Sequence, residues 1–548
     1  MPETLTGHAG EIAVAVARAH GVEAMFTLSG AHVFPLYDGA VKAEPPMPLI
    51  DVRHEATAVF AAEGLARLTR RPGLAVLTAG PGVTNGVSAV TTAYFNGSPL
   101  LVIGGRAPAE KWGQGSLQEL DHPPLLAPVT KHAGTISAVD HVAKEVDDAL
   151  RVATSAHRGP VFLDIPFDVV FAQTAMPTAA TVLPAVVTAE DSDIASVAAA
   201  LDAAERPVLV VSSDVWTDGA AEAARRFAEQ LRLPTITTGM GRGILPRGHE
   251  LLVTRARSAA FDGADLVVVA GAPLDFRLGY GRFGGKDGAA PAGVVHLADS
   301  PGQLARHVPL LASAGGDMSL MFDAIASAAK RDGGREEWLR SLRETAVAAE
   351  VADADLLASD ADPIHPARIY GELRRALDDD AVVIGDGGDF VSFAGRFVEP
   401  ARPGHWLDPG PFGCLGTGAG YAIAARLAHP ASQVVLLLGD GAAGFSLMDV
   451  DTLVRHRLPV VMVVGNNSVW GLEKGPMQMI YGYDVAAELA PRTRYDEVVR
   501  ALGGAGEMVT DPREIGPALQ RGFAAGAPYL VNVITDPDAA YPRSTFGV

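Results

Sequence analysis

The chain has 548 residues, a length that fits three or four domains of roughly 150 residues each, and 48% hydrophobic content with 60 glycines suits several packed cores joined by tight turns. A net charge of −20, from 44 basic against 64 acidic residues, argues against nucleic acid and against an anionic membrane face, while leaving room for a phosphorylated ligand held by local donors. One cysteine, Cys414, allows no internal disulfide and fits a reducing compartment. With no basic leader and no apolar run of membrane-spanning length, a cytoplasmic protein is expected.

In chain order, apolar runs rich in Val, Leu and Ile begin at Leu74, Leu100, Val161, Val208, Leu266, Val382, Val434, Val460 and Leu530. Such continuous strands, alternating with helical patterns, indicate parallel sheets covered on both faces. Two stretches interrupt the rhythm. Residues 171–190 are rich in Pro, Thr and Ala without a clear period, and the second stretch is residues 351–366 (VADADLLASDADPIHP). Both read as linkers. They divide the chain into three doubly wound α/β units, expected at 1–175, 190–345 and 362–548.

The chemistry-bearing motifs follow the same order. TLSGAHVFPLYDG places Gly30 and His32 in a loop, where a histidine is either a proton-transfer group or a satisfied structural one. DVRHEATAVF opens a helix on Glu55, whose Val59, Ala62 and Ala66 continue one apolar face. Taken alone, an acid there is ordinarily a helix-dipole partner. LTAGPGVTNG reads as a strand, a Gly-Pro turn and a helix; Pro81 and Asn85 either shape that turn or line a cavity. AVVIGDGGDF offers Gly387 and Gly388, and GPFGCLGTG offers Gly413 and Leu415. Finally VVLLLGDGAAGF sets Gly-Asp-Gly behind one buried strand, and VVMVVGNNSVWG sets Asn-Asn behind the next. Asp440, Asn467 and the carbonyl of Val469 are oxygen ligands of the kind Mg²⁺ takes. Gly441, Ala442 and Ala443 bare backbone N–H groups at a helix start, where phosphate is favoured.

The joint GDG and NN pattern resembles the thiamine-diphosphate signature. Nearly the whole chain is similar to thiamine-diphosphate-dependent enzymes of the acetolactate synthase and 2-hydroxyacyl-CoA lyase group. The resemblance implies a pyrimidine-binding domain, a central domain and a diphosphate-binding domain, with thiamine diphosphate and Mg²⁺ as cofactors. It puts Glu55 against N1′ of the aminopyrimidine, where it promotes the tautomer that removes the proton from thiazolium C2. It gives Gly30, Pro81 and Asn85 to the pyrimidine and substrate side, the Gly413 carbonyl to the 4′-amino group, and Leu415 to the wedge that bends the cofactor. Gly387 and Gly388 serve the diphosphate. In this family each cofactor lies between the first domain of one chain and the third domain of its partner, so a homodimer is the minimum and a homotetramer is expected.

Several positions bear on which member of the group this is. His32 stands where acetolactate synthases usually carry a small residue. Gln118, in the loop KWGQGSLQEL, is the substrate-side polar group, and Leu117-Gln118 departs from the Tyr-Glu pair of oxalyl-CoA decarboxylases. NNSVWGLEKGPMQM lacks the synthases' Gln-Trp-Glu segment. Trp470, Leu472, Glu473, Met477 and Met479 instead form a bulky lining, with Glu473 either a proton carrier or a surface partner of Lys474. IHPARI, LDFRLGYG and DPGPFGCLGTG look closest to 2-hydroxyacyl-CoA lyases. The leading expectation is therefore reversible cleavage of a 2-hydroxyacyl-CoA to formyl-CoA plus an aldehyde or ketone. The alternative is an acetolactate synthase catalytic subunit condensing 2-keto acids; a non-catalytic binding protein is opposed by the retention of Glu55, Asp440 and Asn467. A CoA ester is the expected small-molecule partner, with Arg277, Lys286, Arg402 and Arg543 as candidate phosphate contacts or internal ion pairs. FAD, ADP or neither occupies the central domain.

Overall fold

The computed structural model describes residues 4–177, 184–286, 290–330, 334–539 and 541, so Arg543 lies outside the described residues. The first unit contains β1 (Thr4–His8), β2 (Met25–Thr27), β3 (Leu49–Asp51), β4 (Gly73–Leu77), β5 (Leu100–Arg106), β6 (His132–Thr135), β7 (Pro160–Pro166) and β8 (Gln173–Pro177). Six of these form a parallel sheet in the order β3-β2-β4-β5-β7-β6, and β1 pairs antiparallel with β8. The central unit has β9 (Pro207–Val211), β10 (Thr235–Thr237), β11 (Leu266–Ala270), β12 (Gly293–Ala298) and β13 (Ala312–Gly315), parallel in the order β10-β9-β11-β12-β13. The third has β14 (Val382–Asp386), β15 (Trp406–Leu407), β16 (Val434–Gly439), β17 (Val461–Asn466), β18 (Ala505–Val509) and β19 (Tyr529–Ile534), parallel in the order β15-β14-β16-β17-β19-β18. These are the three doubly wound parallel sheets expected. Each of the apolar runs became a strand, because a strand covered by helices on both faces needs no polar alternation: every residue of β4, β9, β11 and β14 is buried.

Both linkers are shorter than expected. Residues 173–177 of the first form β8, which closes onto the amino-terminal strand. The second expectation is corrected more strongly: one helix, Glu336–Leu357, runs through position 345 and past Val351. It contains neither Gly nor Pro and is rich in Ala, Glu and Leu, so nothing stops it before Ala358. Among the described residues no helix is long and apolar enough to cross a membrane.

The first and third units share one apolar core. Phe26, Phe60 and Val83 belong to the same buried cluster as Tyr421, Leu436 and Met462. The helix Glu55–Thr69 lies against the helix Gly418–Ala428 so closely that a Cβ on Gly420 would stand 2.6 Å from Phe60 Cβ and 2.9 Å from the Ala61 nitrogen. Within this contact Glu63 is fully buried. It accepts from Asn96 Nδ2 at 2.7 Å, Ser98 Oγ at 3.2 Å and Tyr421 Oη at 3.0 Å, while Arg67 donates to Tyr421 Oη at 3.2 Å and to the Asp408 carbonyl at 3.0 Å. Burial pushes the Glu63 carboxyl up, and Arg67 opposes that. Asp449 adds a second tie, accepting from the Arg53 N–H and from Thr57 Oγ1, both at 2.7 Å. Replacing Arg67 with Leu leaves Glu63 buried without its counter-charge; we expect about 3–5 kcal/mol of destabilisation, read as a lowered urea midpoint for the transition that unfolds the first and third units.

Candidate functional site

In a doubly wound sheet, side chains and backbone converge on a crevice at the carboxyl ends of the strands, where the strand order reverses. The third sheet reverses between β14 and β16, because the chain leaves β14 for β15 on one side and returns to β16 on the other. Gly387 and Gly388 follow β14, Asp440 and Gly441 follow β16, and Asn467 follows β17. Together with Gly413, Leu415, Ala442, Val469, Trp470, Leu472 and Glu473 they line a cavity of about 280 Å³. Ala443, grouped with Gly441 and Ala442 on sequence grounds, is instead fully buried in the core beneath the cavity. Met477 and Met479 do not line it, and Met479 is 74% exposed.

Asp440 begins the helix Asp440–Ser446, and its side chain stays at the helix start: Oδ1 accepts from the Gly441 N–H at 2.9 Å and Oδ2 from the Ser468 N–H at 2.6 Å. The second bond requires Ser468 to adopt a left-handed backbone, φ 61°. That turn is held by the neighbouring segment, with the Leu489 N–H donating to the Ser468 carbonyl and the Trp470 N–H to the Ala487 carbonyl, each at 2.7 Å. Asn467 Oδ1 accepts from the Val469 N–H at 3.2 Å. Burial pushes the Asp440 carboxyl up to about 6, against the pull of those N–H donors. Two hard oxygen donors therefore line one cavity, one of them a carboxylate that gains from a neighbouring cation. Beside them the backbone is bare. A Cβ on Gly413 or Gly439 would meet nothing within 4 Å, and one on Gly441 would strike the Trp470 ring at 2.4 Å.

The remaining predicted residues gather at the first unit's own reversal point, between β2 and β4. Glu55, 7% exposed, opens its helix and accepts from Asn85 Nδ2 at 3.0 Å, so the two are one assembly. Pro81 is the first residue of the helix Pro81–Phe95. His32 is buried between Gly105 and the Phe167 ring, with Nδ1 3.3 Å from Thr78 Oγ1; burial lowers its pKa, and the nearby His122 lowers it further, so it stands neutral near pH 7. Gly30 presses on Thr78, where a Cβ would lie 2.3 Å from the threonine Cβ. Gln118 has a left-handed φ of 60° and packs directly on Gly80.

Sequence reasoning missed the supports. His122, fully buried, accepts from the Gly80 N–H through Nε2 at 3.0 Å and meets Asp164 through Nδ1 at 2.9 Å; Asp164 also takes Arg106 at 2.8 Å. This chain of contacts fixes the Gly80 turn against the Gln118 loop. Asn466, the first of the Asn pair, faces away from the cavity and donates to the Thr493 carbonyl and Asn532 Oδ1, both at 3.0 Å. Asp386 accepts from the N–H groups of Gly416 and Gly418, and burial pushes it up to about 7. Its place inside the quoted IGDGGD run was the available signal. Glu473 is exposed, and Lys474 reaches Asp538 at 3.7 Å rather than Glu473. In the central unit Arg277 is held by both oxygens of Asp275, and Lys286 by Asp262 at 2.9 Å.

A bare-backbone cradle at a strand-order reversal, with an Asp and an Asn at adjacent strand ends, is matched by three family models. Residues 7–125 match the N-terminal thiamine pyrophosphate binding domain of thiamine pyrophosphate enzymes, 194–325 their central domain, and 386–533 their C-terminal thiamine pyrophosphate binding domain. The chain belongs to the thiamine pyrophosphate enzyme family. Among relatives, the acetolactate synthase large subunit IlvG of Mycobacterium tuberculosis is 48% identical over 543 residues, covering 98% of this chain and 97% of the relative. The 2-hydroxyacyl-CoA lyase 2 of Caenorhabditis elegans is 35% identical, covering 92% and 85%, and that of Homo sapiens 32%, covering 96% and 90%. As a thiamine pyrophosphate enzyme the protein makes or breaks carbon–carbon bonds, and the residues around Asp440 fit the cofactor: oxygen donors for a cation and, at Gly413 and Gly439, open glycine backbone with room for a diphosphate.

Between the ordinary aspartate value of 3.8 and about 6, the metal-free fold holds a proton on Asp440 that the unfolded chain does not. It therefore loses stability as pH rises through that window, and a cation on the ionised carboxylate reverses the loss. Millimolar Mg²⁺ should raise the thermal midpoint at pH 7.5 but not at pH 5, with EDTA undoing the gain. The Asp440→Ala variant should show no response in a calorimetric scan.

Proposed function

We propose that the protein is an acetolactate synthase-type enzyme that binds thiamine diphosphate and Mg²⁺ and joins two 2-keto acids, releasing carbon dioxide from the first. The observation that carries this reading is the gap in similarity: 48% identity to a synthase along almost the full length of both chains, against 32–35% to the lyases. It reverses the order of the two expectations drawn from His32 and the missing Gln-Trp-Glu segment. The structure adds a supporting point, since Arg277 and Lys286, the candidate contacts for a CoA phosphate, are already engaged by Asp275 and Asp262. The lyase remains the second reading, favoured by His32.

Mg²⁺ would be held by Asp440, Asn467 and the Val469 carbonyl, and the diphosphate by Gly387, Gly388, Gly441 and Ala442. When bound, thiamine diphosphate supplies a carbon nucleophile and accepts the electrons left by decarboxylation. The protein's own part is to place protons and exclude water. Glu55, held in one orientation by Asn85, presents a carboxylate to hold a proton against the pyrimidine ring. His32, neutral, offers a ring nitrogen to the substrate's carboxylate or carbonyl oxygen. Gln118, on a loop anchored through Gly80 and His122, gives a second polar contact. Leu415 and Leu472 shield the reacting centre.

We further propose that the working site is completed by a second copy of the chain, pairing the Glu55 side of one with the Asp440 side of the other. Two observations support this. Every residue lining the Asp440 cavity comes from the third unit, with neither Glu55 nor Asn85 among them. The helix Gly471–Tyr481 beside that cavity buries none of its residues, leaving Met479, Ile480 and Tyr481 exposed.

Purified enzyme with thiamine diphosphate and Mg²⁺ should convert pyruvate to acetolactate and leave a 2-hydroxyacyl-CoA intact by mass spectrometry; formyl-CoA from the latter, with pyruvate untouched, would establish the lyase instead. Glu55→Gln should lower kcat by about 10²–10⁴-fold while the Mg²⁺-induced rise in thermal midpoint persists.

A further inference from the structure

The central sheet has a reversal point of its own, between β9 and β11, since the chain leaves β9 for β10 and returns to β11 on the other side. Two acids stand at this crevice. Asp214 lies on the short helix Ser213–Thr217 directly after β9, and Asp299 follows the end of β12. A third group arrives from the first unit: His157, in the loop between the helix Val142–Thr154 and β7, reaches across the boundary. Its ring is confined by Gly97, where a Cβ would lie 2.5 Å from Cε1, so only glycine admits the imidazole. His157 Nδ1 is 2.8 Å from Asp299 Oδ2, and one ligand-capable atom from each of the three side chains lies within 4.8 Å of the others.

Asp299 is 2% exposed, yet its Oδ1 has no hydrogen-bond partner. A carboxylate oxygen left unmatched in a buried site is costly and calls for a donor or a cation. The hydrogen bonds of the nearby cations do not reach that oxygen: Lys131 donates to the Ser155 carbonyl and Oγ, both at 2.8 Å, and Arg158 to Asp218 at 2.9 Å.

We propose that this crevice holds a divalent transition-metal ion, zinc or a first-row neighbour, on His157, Asp214 and Asp299. One imidazole nitrogen and two carboxylate oxygens form a mixed donor set that suits such ions better than Mg²⁺, which prefers oxygen alone. With bonds of about 2.0–2.2 Å, tetrahedral ligands stand about 3.3 Å apart, so His157 and Asp299, now 2.8 Å apart, open slightly while Asp214 draws in, and water fills the remaining position. The ion pins the first unit to the central unit, with one ligand from the first and two from the second. It is separate from the Mg²⁺ position at Asp440, on a different sheet.

The test uses the full-length enzyme with thiamine diphosphate and saturating Mg²⁺, which fills the Asp440 position. After incubation with Zn²⁺ and desalting, plasma mass spectrometry should count about one zinc per chain in the wild type and in Asp440→Ala, falling below about one-tenth in His157→Ala and Asp299→Asn. Co²⁺ should give visible d–d absorption in the wild type that is lost in the same variants. If His157→Ala fails to fold, His157→Gln keeps a polar group beside Asp299 while removing the imidazole ligand, and should fold without metal. Removing the zinc should lower the thermal midpoint of the wild type and leave that of His157→Gln unchanged. No stoichiometric uptake of Zn²⁺ or Co²⁺ by the wild type, or equal uptake by the folded histidine variants, would overturn the proposal.

Discussion

Parallel strands buried on both faces can present polar groups only at their ends, and a reversal of strand order opens the one gap between the flanking helices wide enough for a ligand. Among the described residues each of the three parallel sheets has such a gap, and each collects the unusual residues of its unit. Around β14 and β16 the gap collects bare glycine backbone and the Asp440–Asn467 pair. Around β2 and β4 it gathers Glu55, Asn85 and His32. Around β9 and β11 it holds Asp214 and Asp299, met by His157 from the neighbouring unit. Much of the chemistry follows from where the connections cross rather than from any one motif.

Burial of carboxylates is the second recurring theme, and the outcome depends on what faces each one. Glu63 is satisfied by Asn96, Ser98 and Tyr421, with Arg67 close by, and joins two helices. Asp449 is satisfied by the Arg53 N–H and by Thr57 and Thr452, and joins two units. Asp440 receives only backbone donors on one side and looks into a cavity on the other. The same desolvation that makes the first two structural leaves the third wanting a cation.

The buried strands were legible in the sequence because unbroken Val, Leu and Ile runs leave little else for them to be. Three-residue strands such as Met25–Thr27 and Thr235–Thr237 are too short to show a period, and Ala312–Gly315 carries no strong strand former. The helix Glu336–Leu357 extends past the expected boundary because it lacks any breaker, although the Asp and Ala content of its end resembles that of a linker. At the site, the spacing from Asp440 to Asn467 was readable because both residues end adjacent strands. His122, Asp164 and Arg106 were not, since their contact depends on β5 and β7 pairing, with Arg106 opposite Pro166. Asn466 and Asn467 look equivalent in the sequence, and only the pleat of β17 sends the first toward Asn532 and the second into the cavity. Ala443 misleads for a related reason, as it sits on the inward side of a short helix whose exposed residues are Gly444 and Phe445.

The shared core of the first and third units bears on how the molecule comes into being. Glu63 and Tyr421, bonded at its centre, are 358 positions apart, and the whole central unit is made between them. As the chain leaves the ribosome, the helix Glu55–Thr69 must wait with Phe60, Glu63 and Arg67 uncovered until the helix Gly418–Ala428 has been synthesised. Closing contacts over so long a loop is slow, and exposed apolar surface in the interval invites association with other chains. The central unit, with a core of its own, needs no such delay. The nascent protein therefore passes through a stage in which one face of its first unit stands uncovered, although that unit also has a core of its own, and this is the stage at which chaperone assistance would have most effect.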